Sequence, residues 1–184
     1  MSDAPRIRAI AERDWPAIAS LEARAYTRLG LTEGPAALRA RRDASPDTCF
    51  AAHAGPQLAG YVLALPYPHG AYPDLGRTRR GTAPSRNLHL HDLVVAPELR
   101  RRGLARALLR HLLAAARSRA YDRVSLVSVG GTQAFWSARG FTPRPGVVAP
   151  GDYGTDAVYM SLSLETTPLP RESPETSGVR VPCP

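Results

Sequence analysis

Apolar residues recur along this chain with two different periods, and the changes between them predict an alternation of strands and helices. Alternating apolar positions and short β-branched runs predict strands over 6–10, 48–53, 58–65, 88–95, 124–129, 141–144 and 157–164. Apolar positions spaced three and four apart predict helices after Asp14, over 35–42, from Leu104 onward and over 132–139. Gly140 follows the last helix, at a position where glycine commonly ends one.

The order of these elements predicts a mixed α/β sheet in one domain over 1–164. A hairpin expected around Gly55 implies antiparallel neighbours, whereas crossover helices in the second half imply some parallel pairing. Residues 66–86 contain four prolines and three glycines without periodicity, so we expect a long loop near the substrate entrance. Residues 165–184 are rich in proline and are expected to form a disordered tail.

Charge and composition narrow the classes of partner. The formal net charge is +8 and all 24 basic residues are arginines, which suits an anionic ligand such as a phosphorylated cofactor or a nucleic acid. Cys49 and Cys183 are too few for a disulfide framework and lack metal-site spacing. No apolar run reaches the roughly 20 residues that cross a bilayer, and the N-terminus lacks a signal-peptide pattern. We therefore expect a cytoplasmic protein without a metal.

An arginine- and glycine-rich turn follows the strand over 88–95 and opens the helix at Leu104. The first backbone N–H groups of a helix lack partners, and the helix dipole favours an anion there. Gly103 and the small Ala105 would let a pyrophosphate approach the backbone, and the arginines add forked donors. The turn predicts a phosphate site, with a solvated basic helix start as the alternative. The residues assigned to it are Arg101, Arg102, Gly103, Leu104, Ala105 and Arg106.

Two histidines, His89 and His91, stand two positions apart in the strand before this turn. Strict alternation places both on one face with Leu93 and Val95, and points Asp92 to the opposite face as a structural residue. A neutral imidazole suits the removal of a proton from an ammonium group, because its pKa lies near operating pH. A single histidine in a strand is more often structural, but a pair beside a phosphate turn predicts a general base.

The turn, together with a later Phe135-Trp136-x-x-x-Gly140-Phe141 segment, resembles the GNAT superfamily of N-acetyltransferases over roughly residues 6–164. The resemblance implies an α/β fold with a mixed, mostly antiparallel sheet, a splayed central pair of parallel strands and flanking helices. It also implies acetyl-CoA as cosubstrate. The pantetheine would pair with the strand at Leu93, Val94 and Val95, and the pyrophosphate would lie in the turn over 101–106.

Around the histidines the chain resembles the arylalkylamine (serotonin) N-acetyltransferase branch, which implies that His89 and His91 relay the amine proton. Trp136 departs from the family, because a tyrosine usually stands there and protonates the departing thiolate. An indole N–H has no useful acidity. The remaining candidate donors are Tyr153, Tyr26, Ser128 and water.

A second departure lies at the start of the helix over 132–139, where the family's common asparagine is missing. The backbone amides of Gly131 and Thr132 are expected to replace it, which assigns Thr132 to the cosubstrate site.

The expected function is therefore acetyl transfer to a primary amine of a small molecule by direct attack in a ternary complex. The alternatives are a protein N-terminal acetyltransferase and a non-catalytic domain that senses acetyl-CoA or binds a partner. Nucleic-acid binding ranks last, because no aromatic-basic motif of a known module is present. We expect no membrane partner, and either a monomer or a homodimer.

Overall fold

A computed structural model of the protein describes residues 5–75 and 84–164. Its strands are β1 (Arg6–Ala9), β2 (Phe50–Ala54), β3 (Gln57–Pro66), β4 (Asn87–Val95), β5 (Arg123–Ser128), β6 (Thr142–Arg144) and β7 (Val158–Ser163). Its helices are α1 (Trp15–Tyr26), α2 (Pro35–Ala44), α3 (Leu104–Ser118) and α4 (Gln133–Ser137). The predicted tail over 165–184 and the middle of the predicted loop over 66–86 lie outside the described residues.

The seven strands form one sheet in the order β1-β2-β3-β4-β5-β7-β6. Five of its six strand pairs are antiparallel, and the central pair β4–β5 is parallel because α3 crosses over between its strands. The predicted mixed sheet with a central parallel pair is confirmed. None of the helices in the described part of the chain is long and apolar enough to span a membrane.

Two hydrophobic cores cover the two faces of the sheet. One contains the apolar stripe of α3, with Leu108, Leu112 and Ala116 fully buried against the sheet. Burial of each leucine contributes roughly 1.5–3 kcal/mol to folding. The other core packs Trp15, Ile18 and Leu21 of α1, with residues of α2, against the opposite face. The helices on the second face thus lie over the side of the sheet that carries the histidines.

A β-bulge in β4 changes which face of the sheet its later side chains lie on, compared with the prediction. Asp92 pairs with Leu63 and Leu90 pairs with Ala64, so His91 is an extra residue without a partner on β3. The extra residue shifts the alternation by one position. Asp92 therefore lies on the histidine side of the sheet, while Leu93 and Val95 pack in the α3 core on the other side. The sequence prediction of strict alternation is wrong at this point.

Candidate active site

The strands β4 and β5 separate towards their carboxyl ends and open a cleft. They pair only over three positions, from Asn87 with Arg123 to His89 with Ser125, and then diverge. The cleft has a volume of about 630 Å³. It is bounded by the C-terminal half of β4, the turn before α3, the end of β5 and α4. A splayed parallel pair thus creates the space in which a ligand could lie between two strands.

The residues predicted to bind the cosubstrate lie together along this cleft. Those that line it are Leu93, Val94, Val95, Arg101, Gly103, Leu104, Ala105, Arg106 and Thr132. Arg102, predicted with them, is exposed and is not part of the cleft lining. The structure therefore brings together all but one of the predicted cosubstrate residues.

The turn before α3 has the backbone geometry of an anion cradle. Arg101 and Gly103 both adopt positive φ, 62° and 78°, and α3 begins directly after Gly103. Such turns point successive N–H groups toward one concavity, which attracts an anion. Arg101, Arg106 and Arg139 also line the cleft and add positive charge. The cradle and its arginines fit the pyrophosphate of a coenzyme A ester.

His91 lies at the end of the cleft away from the turn and is held by a carboxylate. Its Nε2 is hydrogen-bonded to Oε1 of Glu33, and both side chains are almost fully buried, 3% and 4% exposed. A carboxylate only accepts, so Nε2 carries a hydrogen, and in the neutral form of the ring the lone pair lies on Nδ1. Nδ1 is buried and has no hydrogen-bond partner within the described residues. The geometry leaves one basic nitrogen free beside the cleft.

Glu33 is held in its ionised form by two neighbours. Burial acts to raise the pKa of its carboxyl, but hydrogen bonds and charge from His91 and Arg41 outweigh burial, and the pKa is lowered. Arg41 forms an ion pair with Glu33, and its side chain is 6% exposed. Glu33 lies between α1 and α2, and Arg41 lies in α2. Sequence reasoning missed both residues, since their spacing matches no motif and the bulge at His91 was not foreseen.

His89 has different surroundings. It is 1% exposed, and it does not line the cleft. Asn87 Nδ2 donates to Ser125 Oγ at 2.8 Å, and Ser125 Oγ is hydrogen-bonded to His89 Nδ1 at 3.1 Å. Burial lowers the pKa of His89 well below its usual range, and the charge that His91 carries when protonated and the charge of Arg41 add to this effect. His89 is therefore neutral, and its Nδ1 is already hydrogen-bonded.

Asp92 and Glu22 lie on the same side as His91. Both are buried, at 6% and 2% exposure. Tyr61 donates to Asp92 at 3.0 Å across the sheet, which confirms that Asp92 is bonded within it. Together with Glu33 they line a small pocket next to the cleft. Only the bulge brings Asp92 to this side, so no sequence pattern of period two could have placed it here.

Trp136 is a buried member of the α3-side core rather than a proton donor. It is 7% exposed, and its Nε1 donates to Thr132 Oγ1 at 3.3 Å. The other candidate donors differ in position. Tyr26 lines both the cleft and the small pocket, Tyr153 lines the pocket alone, and Ser128 lines neither. Of these three residues Tyr26 is thus the one that lines the cleft, although its hydroxyl is hydrogen-bonded to Asp92.

The backbone amides expected to replace the family's asparagine are already engaged. Gly131 N donates to Asp156 Oδ2 at 2.6 Å, and Thr132 N donates to Val129 O at 3.2 Å. The expectation that these two N–H groups bind the cosubstrate is therefore wrong for this conformation. Thr132 still lines the cleft, and its hydroxyl donates to Val129 O at 2.7 Å.

Solved structures with the same fold come from several kinds of protein. Ard1 from Thermoplasma volcanium superimposes with a TM-score of 0.69 at 16% identity, over 89% of this chain and 99% of that one. The ribosomal-protein-S18-alanine N-acetyltransferase from Escherichia coli gives 0.62 at 19%, over 89% and 96%. The GphF GNAT-like decarboxylase in complex with isobutyryl-CoA gives 0.74 at 22%, over 87% and 100%. At these identities the likeness shows a shared fold, on which different reactions occur.

The sequence itself carries the family assignment. No curated protein matches it significantly. The family model described as "Acetyltransferase (GNAT) family" matches residues 15–141, which run from the start of α1 to the residue before β6 and include the whole cleft. The chain therefore belongs to the GNAT family of acetyltransferases.

Proposed function

We propose that the protein transfers the acetyl group of acetyl-CoA to the primary amine of a small molecule, by direct attack in a ternary complex. The observation that carries this proposal is the free Nδ1 of His91, held beside the cleft by the buried Glu33–Arg41 pair. The fold and the cleft do not distinguish an enzyme from a binding module, because both would need them. An oriented imidazole with an unused lone pair is what proton removal from an amine requires.

Acetyl-CoA supplies the activated acyl group, a thioester. The residues of the cleft would bind it at both ends, with the cradle at Arg101 and Gly103 holding the pyrophosphate and β4 near Leu93 receiving the thioester arm. Backbone N–H groups of the open edge of β4 would stabilise the oxyanion that forms on the carbonyl oxygen.

His91 would accept the proton of the substrate ammonium on Nδ1, directly or through one water. The neutral amine nitrogen then attacks the thioester carbon, the carbon–sulfur bond breaks, and the nitrogen passes its second proton to water as the amide forms. Glu33 stabilises the imidazolium that His91 becomes, because it already accepts the Nε2 hydrogen. His89, the second predicted base, would act through His91, from which its ring centroid is 6.4 Å away. Because His89 stays neutral, the positive charge that forms on proton transfer lies on His91 alone.

The departing thiolate would take its proton from Tyr26 or from water. An unperturbed thiol has a pKa of about 8.5, so the thiolate can also leave without a dedicated acid. Burial raises the pKa of Tyr26 well above its usual range, and Asp92 adds to this effect. Proton transfer from Tyr26 to a thiolate of this basicity is therefore uphill, which makes water the favoured donor.

An arylalkylamine is the acceptor that the histidine pair favours, and a protein N-terminus is the second candidate. The structural likeness to the S18-alanine N-acetyltransferase is what supports the second candidate, although it rests on the fold alone. A non-catalytic acetyl-CoA sensor would share the cradle and the cleft, but it would have no use for a base held by a buried ion pair.

The test is release of free thiol from acetyl-CoA in the presence of a panel of primary amines. We expect turnover that falls about 100-fold or more in His91→Ala, since general base catalysis contributes about 10²–10⁴-fold. The rate of the variant should recover as pH rises towards the pKa of the amine, because free amine then forms without the base. The matched control is His111→Ala, an exposed histidine of α3 that packs on Phe50. Acetyl-CoA binding without thiol release for any amine would show a sensor and overturn the proposal.

A further inference from the structure

A small pocket opens off the cleft beside His91 and contains an excess of negative charge. Its volume is about 30 Å³, and Tyr26 and His91 belong to the lining of both spaces. Three carboxylates line it, from Glu22, Glu33 and Asp92. Arg41 balances the charge of Glu33. The other two carboxylates have only neutral hydrogen-bond partners in the part of the chain that the structure describes.

Those partners are a backbone amide and tyrosine hydroxyls. Glu33 N donates to Glu22 Oε1 at 2.7 Å, and Tyr61 donates to Asp92. Buried carboxylates without a cation are costly, and burial raises the pKa of both Glu22 and Asp92. A cation in the pocket would supply the missing partner. The unpartnered Nδ1 of His91, whose side chain is 97% buried, is a second and independent sign that a polar group belongs there.

We propose that this pocket binds the cationic head of the acceptor and selects an unbranched primary alkylammonium group, R–CH₂–NH₃⁺, with no carboxylate next to it. The inference rests on the proposed function and names the substrate class of the same site. The pocket has about one twentieth of the volume of the cleft, so it has room for the head group of an acceptor, whose body would lie in the cleft. A branch on the α-carbon would crowd so small a pocket, and an α-carboxylate would meet the like-charged groups of Glu22 and Asp92.

The selection is tested with acceptors that differ by one group. Tryptamine, α-methyltryptamine and tryptophan share the indole and ethylamine frame, and a short peptide with an N-terminal alanine represents a protein N-terminus. We expect kcat/KM to fall at least about tenfold on adding the α-methyl group, the effect of one misfitting methyl group. It should fall further for tryptophan and for the peptide. Acetylation of tryptophan or the peptide as fast as tryptamine would overturn the proposal.

The carboxylates are tested by isosteric neutral variants. Glu22→Gln and Asp92→Asn should raise KM for tryptamine about tenfold or more, as a lost charge-assisted hydrogen bond would. The dissociation constant of acetyl-CoA should stay within about twofold, which also reports that the variants are folded. The matched controls are Glu12→Gln and Asp43→Asn, whose side chains are 68% and 64% exposed. An unchanged KM in both pocket variants would contradict the assignment.

A binding experiment separates this proposal from the proposed function. Methylammonium chloride, with coenzyme A present, should raise the melting temperature more than tetramethylammonium chloride at equal ionic strength, and Glu22→Gln should abolish the difference. If this holds while no amine is acetylated, the proposed function fails and the pocket assignment stands. If amines are acetylated regardless of branching and charge, the pocket assignment fails and the function stands.

Discussion

At the scale of single residues, the two histidines show how neighbours decide chemistry. They are two positions apart in one strand, yet Ser125 is bonded to Nδ1 of His89, whereas Glu33 is bonded to Nε2 of His91 and leaves its Nδ1 without a partner in the described part of the chain. The prediction of a histidine base rested on residue type and spacing. Which nitrogen is free depends on Ser125 and Glu33, which are 36 and 58 positions away in the chain.

Glu33 is a positioning residue for His91, and its removal should act on catalysis rather than on cosubstrate binding. We expect Glu33→Gln to lower kcat at least about tenfold, with KM for acetyl-CoA unchanged, because the imidazolium loses its counter-charge. The loss should shrink at high pH, where free amine is present without a base. Stopped assays of thiol release over a range of pH measure both effects.

The control for Glu33→Gln is Glu98→Gln, which removes an exposed carboxylate paired with Arg24. The variant Glu33→Asp keeps the charge and should recover part of the activity. A uniform loss at every pH, with a matching loss of acetyl-CoA affinity, would mean that Glu33 only stabilises the fold through its ion pair with Arg41.

At the scale of elements, the turn and the bulge are the two irregular places that make the site. The turn at Arg101–Gly103 was predictable, since glycine before a strongly amphipathic helix is a local signal. The bulge at His91 was not, because it arises from the pairing of β4 with β3 and leaves no mark in β4 alone. It moves Asp92 to the histidine side and thereby supplies one of the two pocket carboxyl groups that have only neutral hydrogen-bond partners among the described residues.

The turn before α3 can be tested with a pair of glycines in the same conformation. Gly103 and Gly146 have φ of 78° and 79°, and a Cβ at either would meet nothing within 4 Å. Gly103→Glu and Gly146→Glu should therefore cost a similar ~1 kcal/mol of stability through backbone strain. Only Gly103→Glu should weaken acetyl-CoA, by about tenfold or more, because only that residue lines the cleft.

Calorimetric titration of acetyl-CoA into both glycine variants, with urea unfolding alongside, makes the comparison. Equal affinity in the two variants would contradict the assignment of the turn to the pyrophosphate.

At the scale of the whole molecule, one acidic residue ties the N-terminal edge of the sheet to the first helix. Asp14, just before α1, pairs with Arg8 of β1 at 2.7 Å and with His53 of β2 at 3.2 Å, and it accepts from Ala11 N at 2.8 Å. Burial acts to raise the pKa of its carboxyl, but the hydrogen bond from Arg8 and the other contacts outweigh burial and lower it to about 2.

Asp14 should give the fold an acid-dependent part of its stability. A pKa lowered from 3.8 to about 2 corresponds to about 2 kcal/mol, present above the unfolded pKa and lost as pH falls through the folded one. Asp14→Asn should therefore be less stable than the wild type at neutral pH, and the difference should shrink below about pH 4. Urea unfolding at several pH values measures it, with Asp43→Asn as the exposed control. If the difference in unfolding free energy between the two proteins does not change with pH, the lost stability comes from packing.

The order of elements and the phosphate turn were fixed by the sequence alone, because both depend on short-range signals. Periods of two and 3.6 residues reflect which side of a strand or helix is buried, and Gly103 reflects a local backbone conformation. The cosubstrate residues predicted in the turn followed from that local pattern, and those predicted in β4 followed from the family resemblance. The family resemblance came from the same signals.

Only the tertiary structure decided what surrounds the base. Glu33, Arg41 and Glu22 approach His91 from the α1–α2 region, and Asp92 reaches it because one extra residue in β4 shifts the alternation. Electrostatic interactions between groups far apart in the chain depend on distances that no local pattern encodes. The type of the proposed catalytic residue was thus readable from the sequence, whereas its free nitrogen, its counter-ion and the acidic pocket beside it arise from packing.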